Sequence, residues 1–212
     1  MPKKLLNFAV SIGLPLCESQ AQLLADYAAL VWQKRERLNL TSAAGIDEIL
    51  LRHICDGLQG AALVKQLSQN KGLTTFSVID AGAGAGYIGI TLAIALPQAQ
   101  VTLVESIEKR CAFMNWAILS LGLKNVQVKN IRLGEQKDIQ ADFVTERAMG
   151  QLPDILNICL SAVKPGGVFL AYQGEQPQTQ SLQPPGIRLS GETLYHLPAD
   201  SKNRYLVLFE KE

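Results

Sequence analysis

The segment from Phe76 to Gly89 restricts the possible folds of this chain more than any other part of its sequence. An apolar run ends at Asp80, and a helical pattern begins at Tyr87. The two are joined through alternate glycines, Gly82, Gly84 and Gly86. Glycine lacks a Cβ, so such a turn reaches unusual backbone angles and lets a ligand lie against the bare backbone. The next helix turns its free N–H groups toward that ligand, and the segment predicts a nucleoside-cofactor site.

Strand and helix patterns alternate from this segment onward and predict the class of fold. The strands are predicted at 76–80, 101–105, 126–129, 142–145 and 167–172, and the helices at 87–96, 108–121 and 152–163. Such alternation implies a parallel sheet with right-handed crossovers. Two last strands, 193–197 and 204–209, are separated only by a turn over 198–203, which predicts an antiparallel hairpin. The expected fold is therefore α/β, with a mostly parallel sheet and a C-terminal antiparallel hairpin.

The N-terminal part has a different pattern. The apolar pattern of residues 1–75 predicts an N-terminal helical extension. It includes a long helix over 19–37 and, after it, a third helix that Asp47 caps. We expect residues 76–212 to form the cofactor-binding domain and to pack with this extension as one unit.

Two cofactors compete for the glycine turn. Gly84 and its neighbours satisfy the pattern G-x-G-x-x-G of dinucleotide sites, which would suit an NAD-dependent oxidoreductase. Asp80 favours S-adenosylmethionine (AdoMet), because its carboxylate can face the cationic amino group of a methionine moiety. Glu105 ends the next strand and can accept from both ribose hydroxyls, although NAD sites use the same device. The turn Pro165-Gly166-Gly167 and the terminal hairpin are typical of AdoMet-dependent methyltransferases, so AdoMet is preferred.

Composition excludes several classes of protein. The 212 residues are 48% apolar, which is enough for one α/β domain with an appendage. No run approaches the roughly 18 apolar residues of a membrane span, and the N-terminus has no signal-peptide pattern, so we expect a cytoplasmic protein. Four scattered cysteines and two histidines predict no metal site. A net charge of +1 means that any nucleic-acid surface is a local patch.

Several short motifs occur in an order that resembles a known family. They are Asn39-Leu40-Thr41, Arg52-His53-Ile54-Cys55-Asp56, the segment from Asp80 to Gly89, Leu103 to Ser106, Lys109 to Met114, Arg147-Ala148 and Gly174. Over about residues 5–175 they resemble the glucose-inhibited division protein B family, the small-subunit ribosomal RNA guanine-N7 methyltransferases. The resemblance implies a Rossmann-like fold, AdoMet as cofactor, and methylation of N7 of a guanine in 16S ribosomal RNA. The implied partner is that RNA or the small ribosomal subunit, and we expect a monomer.

The same resemblance implies roles for single residues. It places Gly82 and Tyr87 against AdoMet, Leu133 and Gly134 beside the adenine, and Arg147 at the active site. Together with the residues argued above, the predicted cofactor site consists of Asp80, Gly82, Gly84, Gly86, Tyr87, Glu105, Leu133, Gly134 and Arg147. Arg147 is also the candidate catalytic residue, because a guanidinium can hold a phosphate, a guanine or the cofactor carboxylate. The alternative for Arg147 is an ion pair with the adjacent Glu146.

Two departures from the family pattern leave the acceptor open. Glu146 stands where the family usually has Ser or Ala, and Gln173 stands where it usually has Lys. Both remove positive charge from what we expect to be an RNA-facing edge. A methyltransferase for another substrate therefore remains an alternative, as does a ribosome-associated AdoMet-binding module without catalysis.

Other polar residues admit two interpretations each. Arg52 can pair with Asp56 at i+4 on a helix surface, and His53 can pack in the core or border the active site. Lys34, Arg35 and Arg37 end the long helix, where they either suit the helix dipole or form an RNA-binding patch with Arg52.

Overall fold

A computed structural model describes residues 2–135, 139–179, 182 and 184–212 of the chain. The strands are β1 (Phe76–Ala81), β2 (Ala99–Glu105), β3 (Val126–Asn130), β4 (Ala141–Arg147), β5 (Val163–Gln173), β6 (Ile187–Leu197) and β7 (Asp200–Lys211). The α-helices are α1 (Pro2–Ser11), α2 (Glu18–Leu38), α3 (Ile46–Glu48), α4 (Cys55–Asn70), α5 (Tyr87–Ala95), α6 (Glu108–Leu121) and α7 (Leu152–Ser161). No helix within these ranges is long and apolar enough to cross a membrane.

All seven strands form one sheet in the order β3-β2-β1-β4-β5-β7-β6. The first five strands run parallel, and β7 lies antiparallel to both β5 and β6. Helices cover both faces of the central strands, so β1 and β4 are buried on both sides over most of their length. The predicted parallel sheet with a C-terminal antiparallel hairpin is confirmed.

Two turns differ from the prediction. Leu197 pairs with Asp200, so the turn consists of residues 198–199 only. Residues 200–203, which were predicted as turn, belong to β7. The prediction was wrong because these residues are polar, as loop residues usually are, yet they form the exposed end of the hairpin. Strand β5 also begins before its predicted start, and Gly166, at φ 73°, lies inside its irregular first part. There the register with β4 shifts, so the tight turn is a bulge within the strand.

The third helix is continuous from Ile46 to Asn70 but contains a π-helical segment, Ile49–Ile54, between α3 and α4. Its N-cap is Gly45, so the prediction that Asp47 caps it was wrong. Glu48 reaches back instead and accepts the Ala44 N–H at 2.8 Å. A longer side chain one turn into the helix thus satisfies a free N–H ahead of it.

The helical extension packs on the sheet domain through a shared apolar core. Leu24 and Ile54 from the extension belong to the same buried cluster as Leu103 and Leu170 of the sheet. Tyr27 of α2 also donates its buried hydroxyl to the Ala85 carbonyl in the glycine turn at 2.7 Å. The extension therefore supports the turn directly. A second buried cluster lies on the opposite face of the sheet, against α7.

Candidate functional site

Three cavities meet at the edge of the sheet where the parallel strands end. We call them the loop cavity, the apolar cavity and the polar cavity, of about 280, 390 and 540 Å³. The loop cavity is lined by residues of the glycine turn and of the segment after α2, including Thr41, Ser42, Asp80, Gly82, Gly84 and Tyr87. The apolar cavity is named for its aliphatic side chains, Val104, Ile107, Ile131, Leu133, Ile155 and Ile158, and Glu105, Arg110 and Arg132 also line it. The polar cavity is lined by Arg52, His53, Asp56, Arg147, Tyr172, Gln173, Tyr195 and Arg204, among others.

The glycine turn has the backbone angles that its sequence predicts. Gly82, Gly84 and Gly86 all have positive φ, at 64°, 61° and 87°. A Cβ added to Gly82 would lie 3.0 Å from the Met149 side chain, so both this close contact and the positive φ favour glycine here. The turn therefore brings bare backbone to the walls of the loop and apolar cavities.

Asp80 lies at the floor of the loop cavity and is nearly buried, with 2% of its surface exposed. It accepts the Gly89 N–H at 2.8 Å and the Thr145 hydroxyl at 3.2 Å. Burial raises the pKa of its carboxyl to about 6, against the effect of the Gly89 hydrogen bond and of Arg147. A buried carboxylate of this kind is best stabilised by a cation in the cavity above it.

Glu105 lies at the end of β2, between the apolar cavity and the glycine turn. One of its oxygens accepts the Gly84 N–H at 2.9 Å, and the other accepts the Ile107 N–H at 2.8 Å. Each carboxylate oxygen can accept a second hydrogen bond, so Glu105 is held rigidly and can still receive two hydroxyls. Leu133 lines the apolar cavity, and the adjacent Gly134 has φ 95° but does not itself line it.

Arg147 ends β4 and borders both the loop cavity and the polar cavity. Its guanidinium donates to Asp56 at 2.8 Å, and the Tyr195 hydroxyl donates to the other oxygen of Asp56. The suggested pair between Arg147 and Glu146 was therefore wrong. Successive residues of a strand point to opposite faces, so the two side chains lie on opposite sides of the sheet.

The expected pair between Arg52 and Asp56 was also wrong. Arg52 pairs with Glu48 at 3.1 Å instead, one helical turn in the other direction. Asp56 is buried and accepts hydrogen bonds from Arg147 and Tyr195, which lie on strands distant in the sequence.

His53 borders the loop and polar cavities from the π-helical segment. Its ring stacks on Tyr87 at 4.4 Å between centroids, and Nε2 lies 3.4 Å from the Thr41 hydroxyl. Burial, together with the charges of Arg147 and Arg52, lowers the pKa of His53 to about 3. His53 is therefore a neutral ring at the site. π-helical turns are frequent at functional sites, and this one places the Arg-His motif at the cavity wall.

Glu146 does not lie where we expected it. It is fully buried, with 0% of its surface exposed, on the face of the sheet that packs toward α7. The expectation that it removes positive charge from an exposed RNA-facing edge was therefore wrong. Gln173, by contrast, lines the polar cavity.

Several cavity residues carry no signal in the sequence. Tyr195 and Arg204 come from the C-terminal hairpin, and Tyr172 comes from β5. Ala148 lines all three cavities, and its φ of 63° is rare for a residue other than glycine. The Arg147-Ala148 motif marks the position of Ala148 but not its backbone angle. That angle, like pairing across more than a hundred residues, is set by packing, which no local motif reports.

The basic residues at the end of α2 are held by aromatic rings. Lys34 lies 5.0 Å from the Trp116 ring, and Arg35 lies 3.4 Å from the Trp32 ring. Arg35 also pairs with Glu36 at 2.6 Å, which offsets its charge. A patch for RNA phosphates here remains a prediction. Across the described ranges, no three His, Cys, Asp or Glu side chains are grouped so as to hold a metal ion.

Comparison with known structures supports the fold. TrmN from Thermus thermophilus aligns over 77% of this chain and 53% of its own, with a TM-score of 0.55 and 19% identity. TYW2 from M. jannaschii, solved in complex with AdoMet, aligns over 70% of this chain and 74% of its own, with a TM-score of 0.51 and 17% identity. The sheet is therefore that of the Rossmann-like methyltransferases.

Comparison of sequences identifies the family. The "Ribosomal RNA small subunit methyltransferase G" of Limosilactobacillus fermentum is 34% identical over 99% of this chain and 90% of its own. The protein of the same name from Alteromonas mediterranea is 36% identical over 80% of this chain and 77% of its own. The GidB family, described as rRNA small subunit methyltransferase G, matches residues 20–203. The resemblance seen in the sequence motifs is thus confirmed, and the chain belongs to the GidB family of methyltransferases.

Proposed function

We propose that this enzyme transfers the methyl group of AdoMet to N7 of a guanine in 16S ribosomal RNA. The observation that carries the proposal is the position of Arg147, which borders the loop cavity on one side and the polar cavity on the other. A methyl donor in the first and a base in the second would meet at this side chain. Family membership supports the ribosomal acceptor.

The loop and apolar cavities fit AdoMet. Asp80 offers a buried carboxylate for the ammonium group, and Glu105 has lone pairs left for the ribose hydroxyls. The apolar cavity offers Leu133 and other aliphatic side chains to an adenine ring. Gly82, Gly84, Tyr87 and Arg147 line the loop cavity and supply further proposed contacts. Gly86 and Gly134 line none of the three cavities, so their proposed role is to shape the backbone, at φ 87° and 95°, beside the site. AdoMet, when bound, supplies an electrophilic methyl group.

The polar cavity suits a guanine acceptor. N7 carries an in-plane lone pair, so its methylation requires no general base, and the product is a cationic base. Asp56 offsets the charge of Arg147 beside the polar cavity, and His53 is neutral and adds no charge that would repel that cation. Arg147 keeps guanidinium donors beyond the one used by Asp56, and these can hold the guanine O6 while N7 stays free. Alignment within the cavities then supplies most of the catalysis.

The RNA must present its N7 edge in an accessible form. The major groove of a regular RNA helix is too narrow for protein side chains, so the target lies in a loop or a distorted helix. We propose the small subunit, or its RNA, as partner, with the enzyme acting as a cytoplasmic monomer. Arg52 and Arg204, which line the polar cavity, are placed to meet phosphates around the target.

The decisive experiment is transfer of tritiated methyl from AdoMet to small subunits that lack the modification. Digestion to nucleosides should give labelled 7-methylguanosine as the product. Label in another nucleoside or in protein would replace the proposed acceptor. AdoMet binding without transfer to any ribosomal preparation would favour the binding module without catalysis.

A further inference from the structure

Glu146 is a buried carboxylate that the cavities do not use directly. It is 0% exposed, next to a cluster that contains Val144, Ile155 and Cys159. Burying a carboxylate among apolar side chains is unfavourable unless its oxygens are hydrogen-bonded. One oxygen accepts the Met149 N–H, and Oε2 has no partner in the described part of the chain. This unfavourable burial is explained if the Glu146 carboxylate stabilises a part of the structure that matters for function.

Glu146 holds the turn formed by residues 147–150. Within this turn Ala148 has φ 63°, in the left-handed region that residues other than glycine rarely adopt. A strained angle persists only where the surrounding contacts impose it. The hydrogen bond from the Met149 N–H to Glu146 is such a contact, directly after the strained residue.

The 147–150 turn forms walls of the proposed AdoMet site. Ala148 lines all three cavities, and Met149 lines the apolar cavity. The Met149 side chain also lies against Gly82, the first glycine of the turn after β1. A change in the direction of the Met149 N–H would therefore move a wall shared by the adenine and methionine parts of the site.

We propose that Glu146 is a positioning residue for AdoMet, which acts by accepting the Met149 N–H and so holding the 147–150 turn in its binding conformation. This inference rests on the proposed use of AdoMet. It concerns the residue at which this chain departs from the usual Ser or Ala of its family. Glu146 lines none of the three cavities, and its effect passes through Ala148 and Met149.

The test compares Glu146→Ala with Glu146→Gln, which keeps an oxygen for the Met149 N–H. Val144→Ala serves as the control, because it removes volume from the same core two residues earlier on the same face of β4. We expect Glu146→Ala to raise the AdoMet Kd and KM about tenfold, through the loss of one buried hydrogen bond that holds the turn. Turnover at saturating AdoMet should persist, Glu146→Gln should stay within about threefold of wild type, and Val144→Ala should bind normally.

Calorimetric titration with AdoMet gives the affinities, and hydrogen exchange of the Met149 amide reports on the turn. Protection of that amide should be lost in Glu146→Ala and kept in Glu146→Gln. If wild type binds AdoMet and Glu146→Ala binds it equally well, the inference fails while the proposed function stands. Equal weakening by Val144→Ala would also overturn it, since the effect would then be one of core packing. A wild-type protein that binds no AdoMet would refute the proposed function and the inference together.

Discussion

Glu146→Gln should make the stability of this protein less dependent on pH. Burial raises the pKa of the Glu146 carboxyl from 4.5 to about 7, opposed by the Met149 N–H. The charge of Asp80 on β1 contributes to this rise, that of Arg147 on β4 opposes it, and the value of about 7 includes both effects. Cys159 faces it from α7 as a neutral thiol, since burial raises the thiol pKa. Glutamine has nearly the same shape and cannot titrate.

The sign and size follow from linkage between protonation and folding. Because the folded pKa is raised, the folded protein binds the proton more tightly than the unfolded chain does. The stabilising effect of that proton is present below pH 4.5 and is lost as pH rises through about 7. At 1.36 kcal/mol for each pKa unit, the rise from 4.5 to about 7 corresponds to about 3 kcal/mol in total. Between pH 5 and pH 8 the wild type should therefore lose about 2–3 kcal/mol relative to Glu146→Gln.

Urea unfolding of both proteins at pH 5, 6, 7 and 8 measures this difference directly. Asp80 and His53 titrate in both proteins, so their contributions largely cancel. Glu192→Gln, which removes an exposed carboxylate on β6, is the matched control and should follow the wild type. If the wild type and Glu146→Gln differ by the same free energy at every pH, within about 0.5 kcal/mol, Glu146 is ionised in the folded state and the reasoning is refuted.

The remaining predictions concern three residues at or beside the site, Arg147, Asp80 and Gly89. Arg147→Lys keeps a charge beside Asp56 but loses the planar fork, so turnover should fall at least about a hundredfold with little change in the unfolding midpoint. Arg147→Ala should in addition cost about 3–5 kcal/mol in urea unfolding, because it leaves Asp56 buried and unpaired. The affinity for AdoMet, followed by calorimetry, should weaken as pH falls below about 6, where Asp80 takes up a proton, and Asp80→Asn should bind weakly at every pH. Gly89→Ala should destabilise the fold by about 1–3 kcal/mol despite its better helix propensity, because its Cβ would lie 2.1 Å from Leu103.

Each of these has a contrary outcome. Wild-type turnover in Arg147→Lys would reduce Arg147 to a structural partner of Asp56. Affinity for AdoMet that stays constant from pH 5 to 8 would show that Asp80 does not face the ammonium group. A Gly89→Ala protein as stable as wild type would mean that Leu103 repacks freely.

The fold was largely predictable because its signals are local. Apolar runs that alternate with helical periods, and a glycine turn directly after Asp80, identify a parallel sheet from short stretches of chain. The predictions from sequence were wrong where a helix or a strand is interrupted by an irregular segment. The π-helical segment from Ile49 to Ile54 and the bulge near Gly166 arise from packing against neighbours, which periodicity does not report.

What the sequence by itself determined is the family and the parallel sheet, and it predicted the place of the proposed cofactor site after β1, because each depends on residues close together in the chain. Only the tertiary structure decided which charges meet. Asp56 pairs with Arg147 across 91 residues and with Tyr195 across 139, and not with its helical neighbour Arg52. It also placed Glu146 in the core, on the opposite face of the sheet from Arg147. The physical reason is that the partner of a charged side chain is set by the strand face it occupies and by the elements packed above that face, and both are properties of the assembled sheet.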